Sequence, residues 1–299
     1  MTGPDREDSD QLWRQAWDAA LAGQLPLALD YCEQALAQAK ASGETWRVDR
    51  TLCNRAAVLI EMGRPQEVKS DLRRITLRAA DQETSFLASY TLARAYDADK
   101  DFDKAIFYAR IAHGHAEQSG RPEWLSSSYN LLGNAFLAQS KFDQARTEFE
   151  RALEALPTEH DLRRALALDN LGYCDVVQRR YRQGFASHFK ALRILRKIGA
   201  RAWLPVVEVS LCFAYLEIGR YRSAIVHAVR GLRLAEETDH QEMKKNALFL
   251  LGESFKQVGD PLAAREQFAR LQREFYPGAE GVADLLLVIN VQRLVNIKA

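Results

Sequence analysis

Tyr129-Asn-Leu-Leu-Gly-Asn-Ala-Phe-Leu-Ala-Gln-Ser-Lys-Phe-Asp-Gln-Ala145, continued through Phe149, Ala152 and Leu153 to Pro157, decides the fold. Apolar residues recur in it at intervals of three and four, the period of a helix with one buried face. The run breaks around Ser140 and resumes on the same period, so the stretch reads as helix, short turn, helix. Laid along the chain, it matches six other segments, and this repetition argues the architecture more strongly than any single residue.

A helix pair stacked on its neighbours needs small side chains where backbones approach. Ala16, Ala56, Ala93, Gly133, Gly172, Cys212 and Gly252 form such a series. Twelve residues after each stand Ala28, Val68, Ala105, Ala145, Gly184, Ala224 and Ala264, and both series step by 40, 37, 40, 39, 40 and 40 residues. A third, Ala35, Ile75, Ala112, Ala152, Ala191, Gly231 and Leu271, keeps closely to the same spacing. Between the first two lies a turn position held by Gly23, Gly63, Lys100, Ser140, Arg179, Gly219 and Gly259. Glycine at four of the seven fits a helix end that needs a left-handed residue. An aromatic or a proline then opens the second helix in six copies, as Pro65, Phe102, Phe142, Tyr181, Tyr221 and Pro261. No alternating stretch argues for strands.

These units resemble tetratricopeptide repeats over about Asp10 to Tyr276, and 129–157 follows that family's consensus nearly place for place. Units near 40 residues, against the usual 34, resemble those of bacterial peptide-sensing regulators and Pins-type polarity adaptors. The resemblance implies an all-α solenoid of seven helical hairpins over 10–276, wound as a right-handed superhelix with an inner groove. Residues 1–9 are expected as a flexible N-terminal tail and 279–299 as a C-terminal capping helix. That last segment is apolar over more than one side, through Val282, Leu285, Leu286, Val288, Ile289, Leu294 and Ile297, so a homodimer through it stays open beside a simple cap.

In the family the first helix of each unit lines the groove, at fixed places around the small residue. Carried over, these places imply a partner-binding groove of Trp13, Trp17, Tyr90, Arg94, Asn130, Asn134, Asp169, Tyr173, Phe213, Phe249, Glu253 and Lys256. The asparagines and Arg94 suit a peptide backbone or carboxylate, and the aromatics suit side-chain anchors. The family's clamp for C-terminal carboxylates pairs asparagine with lysine in neighbouring repeats, and the lysines are missing here. Some of the aromatics are expected to pack between helices rather than face a partner.

Composition bounds the rest. The chain has 299 residues, 47% hydrophobic and 27% charged, with a net charge of +1, so no global field commits it to nucleic acid or to a membrane. The N-terminus is acidic where a secretory signal needs positive charge, and no apolar run approaches the roughly 20 residues that span a bilayer. A cytoplasmic location without membrane insertion is expected. Charge is uneven locally: residues 160–235 carry fourteen basic and five acidic side chains, while 1–62 carry six basic and ten acidic. Arg179, Arg180, Arg182, Arg193, Arg196 and Lys197 form a candidate basic docking surface for an acidic partner, and nucleic acid is the less favoured occupant because exposed aromatics do not interleave.

Nothing points to chemistry. Phosphate loops, nucleophile elbows and zinc-protease motifs are missing, so no catalytic residues, no cofactor and no metal are expected. Asp97, Asp99, Asp101 and Asp103 alternate like a calcium loop, but Phe102 and Tyr108 stand where such a loop needs glycine and glutamate. Asp101 and Asp103 are better read as helix-start carboxylates. His188 falls among Cys32, Leu72, Phe149 and Phe268 at its repeat position and is expected as a hydrogen-bonded core residue. The four cysteines lack metal spacing and are expected as small reduced side chains. The reading is a non-catalytic scaffold or adaptor that captures another protein or a peptide, with a peptide-sensing regulator that changes superhelical pitch as the alternative.

Overall fold

Seven helix pairs follow one another in a computed structural model that describes residues 4–156, 162–289 and 297, with side chains from residue 11 onward. The chain divides into two compact units, 1–159 and 160–299. The first holds the hairpins α1 (Pro4–Ala22) and α2 (Leu25–Ala41), α3 (Thr45–Glu61) and α4 (Lys69–Arg78), α5 (Gln82–Ala98) and α6 (Phe102–Ser119), and α7 (Pro122–Ala138) and α8 (Phe142–Ala155). The second holds α9 (Leu162–Val177) and α10 (Tyr181–Lys197), α11 (Leu204–Glu217) and α12 (Tyr221–Glu237), α13 (Gln241–Val258) and α14 (Pro261–Phe275), and a short α15 (Val282–Val288). No strand occurs among the described residues. Within each unit the first helices also touch one another, α3 on α5 on α7 and α9 on α11 on α13, which makes one continuous first-helix face per unit.

The series of small residues has a steric cause. Each faces the residue sixteen positions later on the second helix of its hairpin. A Cβ on Gly133 would stand 2.5 Å from Cε1 of Phe149, one on Gly252 2.4 Å from Cε1 of Phe268, and one on Gly172 2.9 Å from Cε1 of His188. Where the facing side chain is smaller, a larger residue returns: Ala56 shares a core cluster with Leu72, Ala93 with Ala109, and Ala16 with Cys32. Glycine accompanies a ring and alanine accompanies a side chain without one, so the methyl is left out only where a ring already fills the space, as close interior packing requires.

The hairpin turns behave as their composition implies. All seven turn residues have positive φ, from 57° at Ser140 to 90° at Gly259, including the non-glycine Lys100 and Arg179 at 62°. A side chain in that region costs about 1–2 kcal/mol against glycine's freedom. Ser140→Gly is therefore expected to stabilise the protein by about 0.5–1 kcal/mol in urea melts. Gly63→Ala, whose added Cβ meets nothing within 4 Å, should destabilise through conformation alone. A loss of stability in Ser140→Gly would show that the turn is not strained. Asp101 caps α6, its carboxylate accepting from the Lys104 amide at 3.3 Å, and Asp81 and Asp260 cap α5 and α14 in the same way. Gly43, Gly120, Gly199 and Asp239 adopt positive φ between hairpins, a second turn series that the repeat pattern did not single out.

The ends differ from expectation. α1 begins at Pro4, inside the segment expected as a tail, and proline's fixed φ suits the first helical position. At the other end α15 stops at Val288 and Ile289 is extended, so the described helix is much shorter than 279–299. Residues 290–296 and 298–299 of that expected helix lie outside the described residues. Leu285 and Val288 are exposed on α15 while Ala283 is buried on the hairpin beneath. All four cysteines are buried and free, and burial pushes the thiol of Cys32 up to about 11 and those of Cys53 and Cys212 up to about 12. Such thiols stay protonated and inert.

Candidate functional site

In the first unit the groove positions carry half-exposed polar and aromatic side chains. α5 places Phe86, Tyr90 and Arg94 on one stripe, at successive intervals of four. Phe86 stacks on Tyr90 at 5.6 Å and on Trp124 of α7 at 4.5 Å with the rings nearly parallel. Arg94 lies 5.9 Å from the centre of the Tyr90 ring and Arg121 lies 4.3 Å from that of Trp124, so a guanidinium closes each end of the stack. Arg94 also reaches across to Glu61 of α3, which fixes its position. Asn130 and Asn134, one turn apart on α7, are half-buried on the neighbouring first helix. Trp124 was not among the expected groove residues, and neither was Phe86, which is buried beneath it at 3% exposure as a core ring. Their signal lies in the sequence, as an aromatic four residues before Tyr90 and another that opens the next hairpin.

At the start of the unit, Trp13 packs half-buried against Ala16, Ala19 and Cys32, and Trp17 is 43% exposed with its ring 6.2 Å away. Trp17 is the more exposed of the pair.

The second unit departs from the expectation. Asp169 is 1% exposed and accepts from two side chains, His188 of α10 at 2.7 Å and Ser210 of α11 at 3.1 Å. It ties three helices together instead of lining a groove, because a buried carboxylate needs hydrogen-bond partners. His188 is the buried, hydrogen-bonded residue expected, with Asp169 as the partner. The same device recurs as Glu208 and His227, 2.7 Å apart, with Arg196 on the other Glu208 oxygen at 3.2 Å.

Tyr173 and Phe213 are buried too, their rings 5.2 Å apart. Burial pushes the Tyr173 phenol well above its usual range, opposed by a hydrogen bond from the backbone of Ile297. Glu253 is fully buried, which raises its carboxyl, and Lys256 opposes that shift from 2.5 Å. Phe249 is half-buried against Phe268, Leu286 and Leu287. Asp169, Tyr173, Phe213 and Glu253 are thus placed beneath the surface, for three physical reasons: paired carboxylates, stacked rings, and cover from the chain's own C-terminal residues.

Of the basic surface, Arg179, Arg182, Arg193, Arg196 and Lys197 are exposed. Arg180 is half-buried and bonds Asp175 at 2.7 Å, and Arg196 bonds Glu208, so two of the six charges are already engaged within the fold. No group of histidine, cysteine and carboxylate side chains suited to a metal occurs among the described residues. No helix among them is long and apolar enough to cross a membrane.

Residues 31–173 match the family described as Tetratricopeptide repeat-like domain. No curated protein matches the chain by sequence. Among solved structures, a Rap protein complexed with Competence and Sporulation Factor is similar with a TM-score of 0.72 at 13% identity, over 89% of this chain and 74% of that one. The Rap conjugation gene regulator of plasmid pLS20, in complex with the Phr* peptide, gives 0.71 at 12% identity over 95% and 74%. A tetratricopeptide repeat protein from Parabacteroides merdae ATCC 43184 gives 0.54 at 16% identity over 94% and 98%.

Proposed function

We infer, for a chain that belongs to the tetratricopeptide-repeat superfamily, that it is a non-catalytic scaffold whose first unit captures a segment of a partner protein on its first-helix face. The observation that carries this is the pair of half-exposed rings Tyr90 and Trp124, held in place by the buried Phe86 ring between them and flanked by Arg94 and Arg121, beside Asn130 and Asn134. Aromatic and arginine side chains held rigidly supply binding energy with little entropy left to lose. Side-chain amides supply both donors and acceptors for a peptide backbone. Two structurally similar proteins were solved with Competence and Sporulation Factor or the Phr* peptide bound, which supports a peptide as the occupant.

The test is a photo-crosslinking amino acid placed at Tyr90 or at Asn134 in the native cell. The control is Phe107, a 59% exposed second-helix residue of the same unit. The expected result is one partner captured from both first-helix positions and not from Phe107. Capture from Phe107 alone would move the binding surface to the second helices.

A further inference from the structure

α15 packs chiefly on α14, while three groups on the first helices of the second unit reach the backbone at its end and at Ile297 rather than side chains. The Lys256 ammonium has three N–H donors, and all three are used: one on Glu253, one on the carbonyl of Leu286 at 2.8 Å, one on that of Ile289 at 3.0 Å. The last two are carbonyls at the end of α15, so the lysine caps that helix's C-terminus. Asn246, farther up α13, donates to the carbonyl of Ile297 at 3.2 Å, and the backbone of Ile297 bonds Tyr173 on α9. The Ile297 side chain is 6% exposed, and Leu286 and Leu287 pack on Phe268 and Phe249. Tyr173, Phe249 and Lys256 are places that the repeat pattern assigns to partner binding.

We propose that this face is a docking site for an apolar helix end, that the chain's own C-terminal segment occupies it in cis, and that a partner segment of the same chemistry enters by displacing it. The proposal rests on the reading that first-helix faces of this chain receive peptide segments. Recognition through backbone carbonyls and an apolar floor does not demand one sequence, so a foreign helix end can replace the native one. Oε2 of Glu253, whose other oxygen takes the third Lys256 bond, is buried without a hydrogen-bond partner, so the lysine that grips the segment is itself held by an incompletely satisfied carboxyl. The tether favours the resident segment by keeping its effective concentration high, which sets a threshold that only a matching partner passes.

The test uses the full chain with a specific protease site built into the exposed turn at 277–280, cut after folding so that every residue is still present. The probe is a fluorescent peptide with the sequence of residues 281–299. We expect the cut chain to exchange its own segment for the probe saturably, and the uncut chain to bind it at least tenfold more weakly. A probe carrying Leu286→Asp, which leaves the protein untouched, should bind the cut chain at least tenfold more weakly, and Lys256→Met in the protein should weaken the unmodified probe at least fivefold. No exchange under excess probe overturns the proposal, as does equal exchange of a scrambled peptide or unfolding on cleavage. The crosslinking at Tyr90 and Asn134 reports on the other unit, so its failure with exchange intact sinks the first-unit reading alone, and the converse sinks only this one.

Discussion

Asp169→Ala is expected to lower the stability of the second unit by about 3–5 kcal/mol, the range for removing one partner from a buried ionisable pair. The carboxylate is 1% exposed and His188 fully buried, so neither side chain can recover its bond from water once the other is gone. The loss also reaches α11, because Ser210 donates to the second Asp169 oxygen, although its contact with the Val206 carbonyl remains. The molecule carries its own control. Repeats four and seven place Phe149 and Phe268 where repeat five has His188, each facing a glycine as His188 faces Gly172. His188→Phe therefore restores a ring against glycine that the fold already uses, and combined with Asp169→Leu it should return to within about 1 kcal/mol of the parent, since apolar replacement of both members of a buried pair is often neutral. Urea melts followed by circular dichroism give the magnitudes, and hydrogen exchange should place the loss within 162–289. If Asp169→Ala costs less than about 1 kcal/mol, or the double variant is no better than the single one, the pair does not hold these helices together.

Gly133→Ala is expected to cost about 1–3 kcal/mol, the usual penalty for forcing a methyl into a filled core. The added Cβ meets the Phe149 ring at 2.5 Å and the ring is fully buried, so it can neither swing into solvent nor flatten against the helix. Phe149→Leu should recover much of the loss, because Ala56 and Leu72 make that combination in repeat two, both buried in one cluster. The two changes should thus be non-additive, with a favourable coupling of about 1 kcal/mol or more in a double-mutant cycle. Additive losses would mean that the glycine answers some need other than the ring. Gly252→Ala, at 2.4 Å from Phe268, makes an independent repeat of the test in the other unit.

Both effects arise at positions that the sequence marks by itself. Small residues at intervals near 40 residues and turn residues with positive φ are local or nearest-neighbour features, and a helix pair imposes them wherever it occurs. They were enough to place the seven hairpins, to identify Ser140 and Arg179 as glycine substitutes, and to mark His188 as a core residue. The ring that each small residue accommodates was not legible, because it is a matter of volume across two helices rather than of pattern along one.

The candidate site was only half legible. Tyr90, Arg94, Asn130 and Asn134 sit half-exposed where the repeat pattern put them, since a helix face follows directly from its register. Asp169, Tyr173, Phe213 and Glu253 occupy corresponding positions and are buried. Their fate was settled by contacts distant in sequence, Ser210 with Asp169 across 41 positions and Asn246 with Ile297 across 51. The sequence by itself determined the helix pairs, their turns and the face each helix turns to its neighbour, because these depend on residues within about one repeat of each other. Only the tertiary structure decided which of those faces stays open and which the chain covers for itself, because burial depends on everything that folds against a residue and not on the helix that carries it.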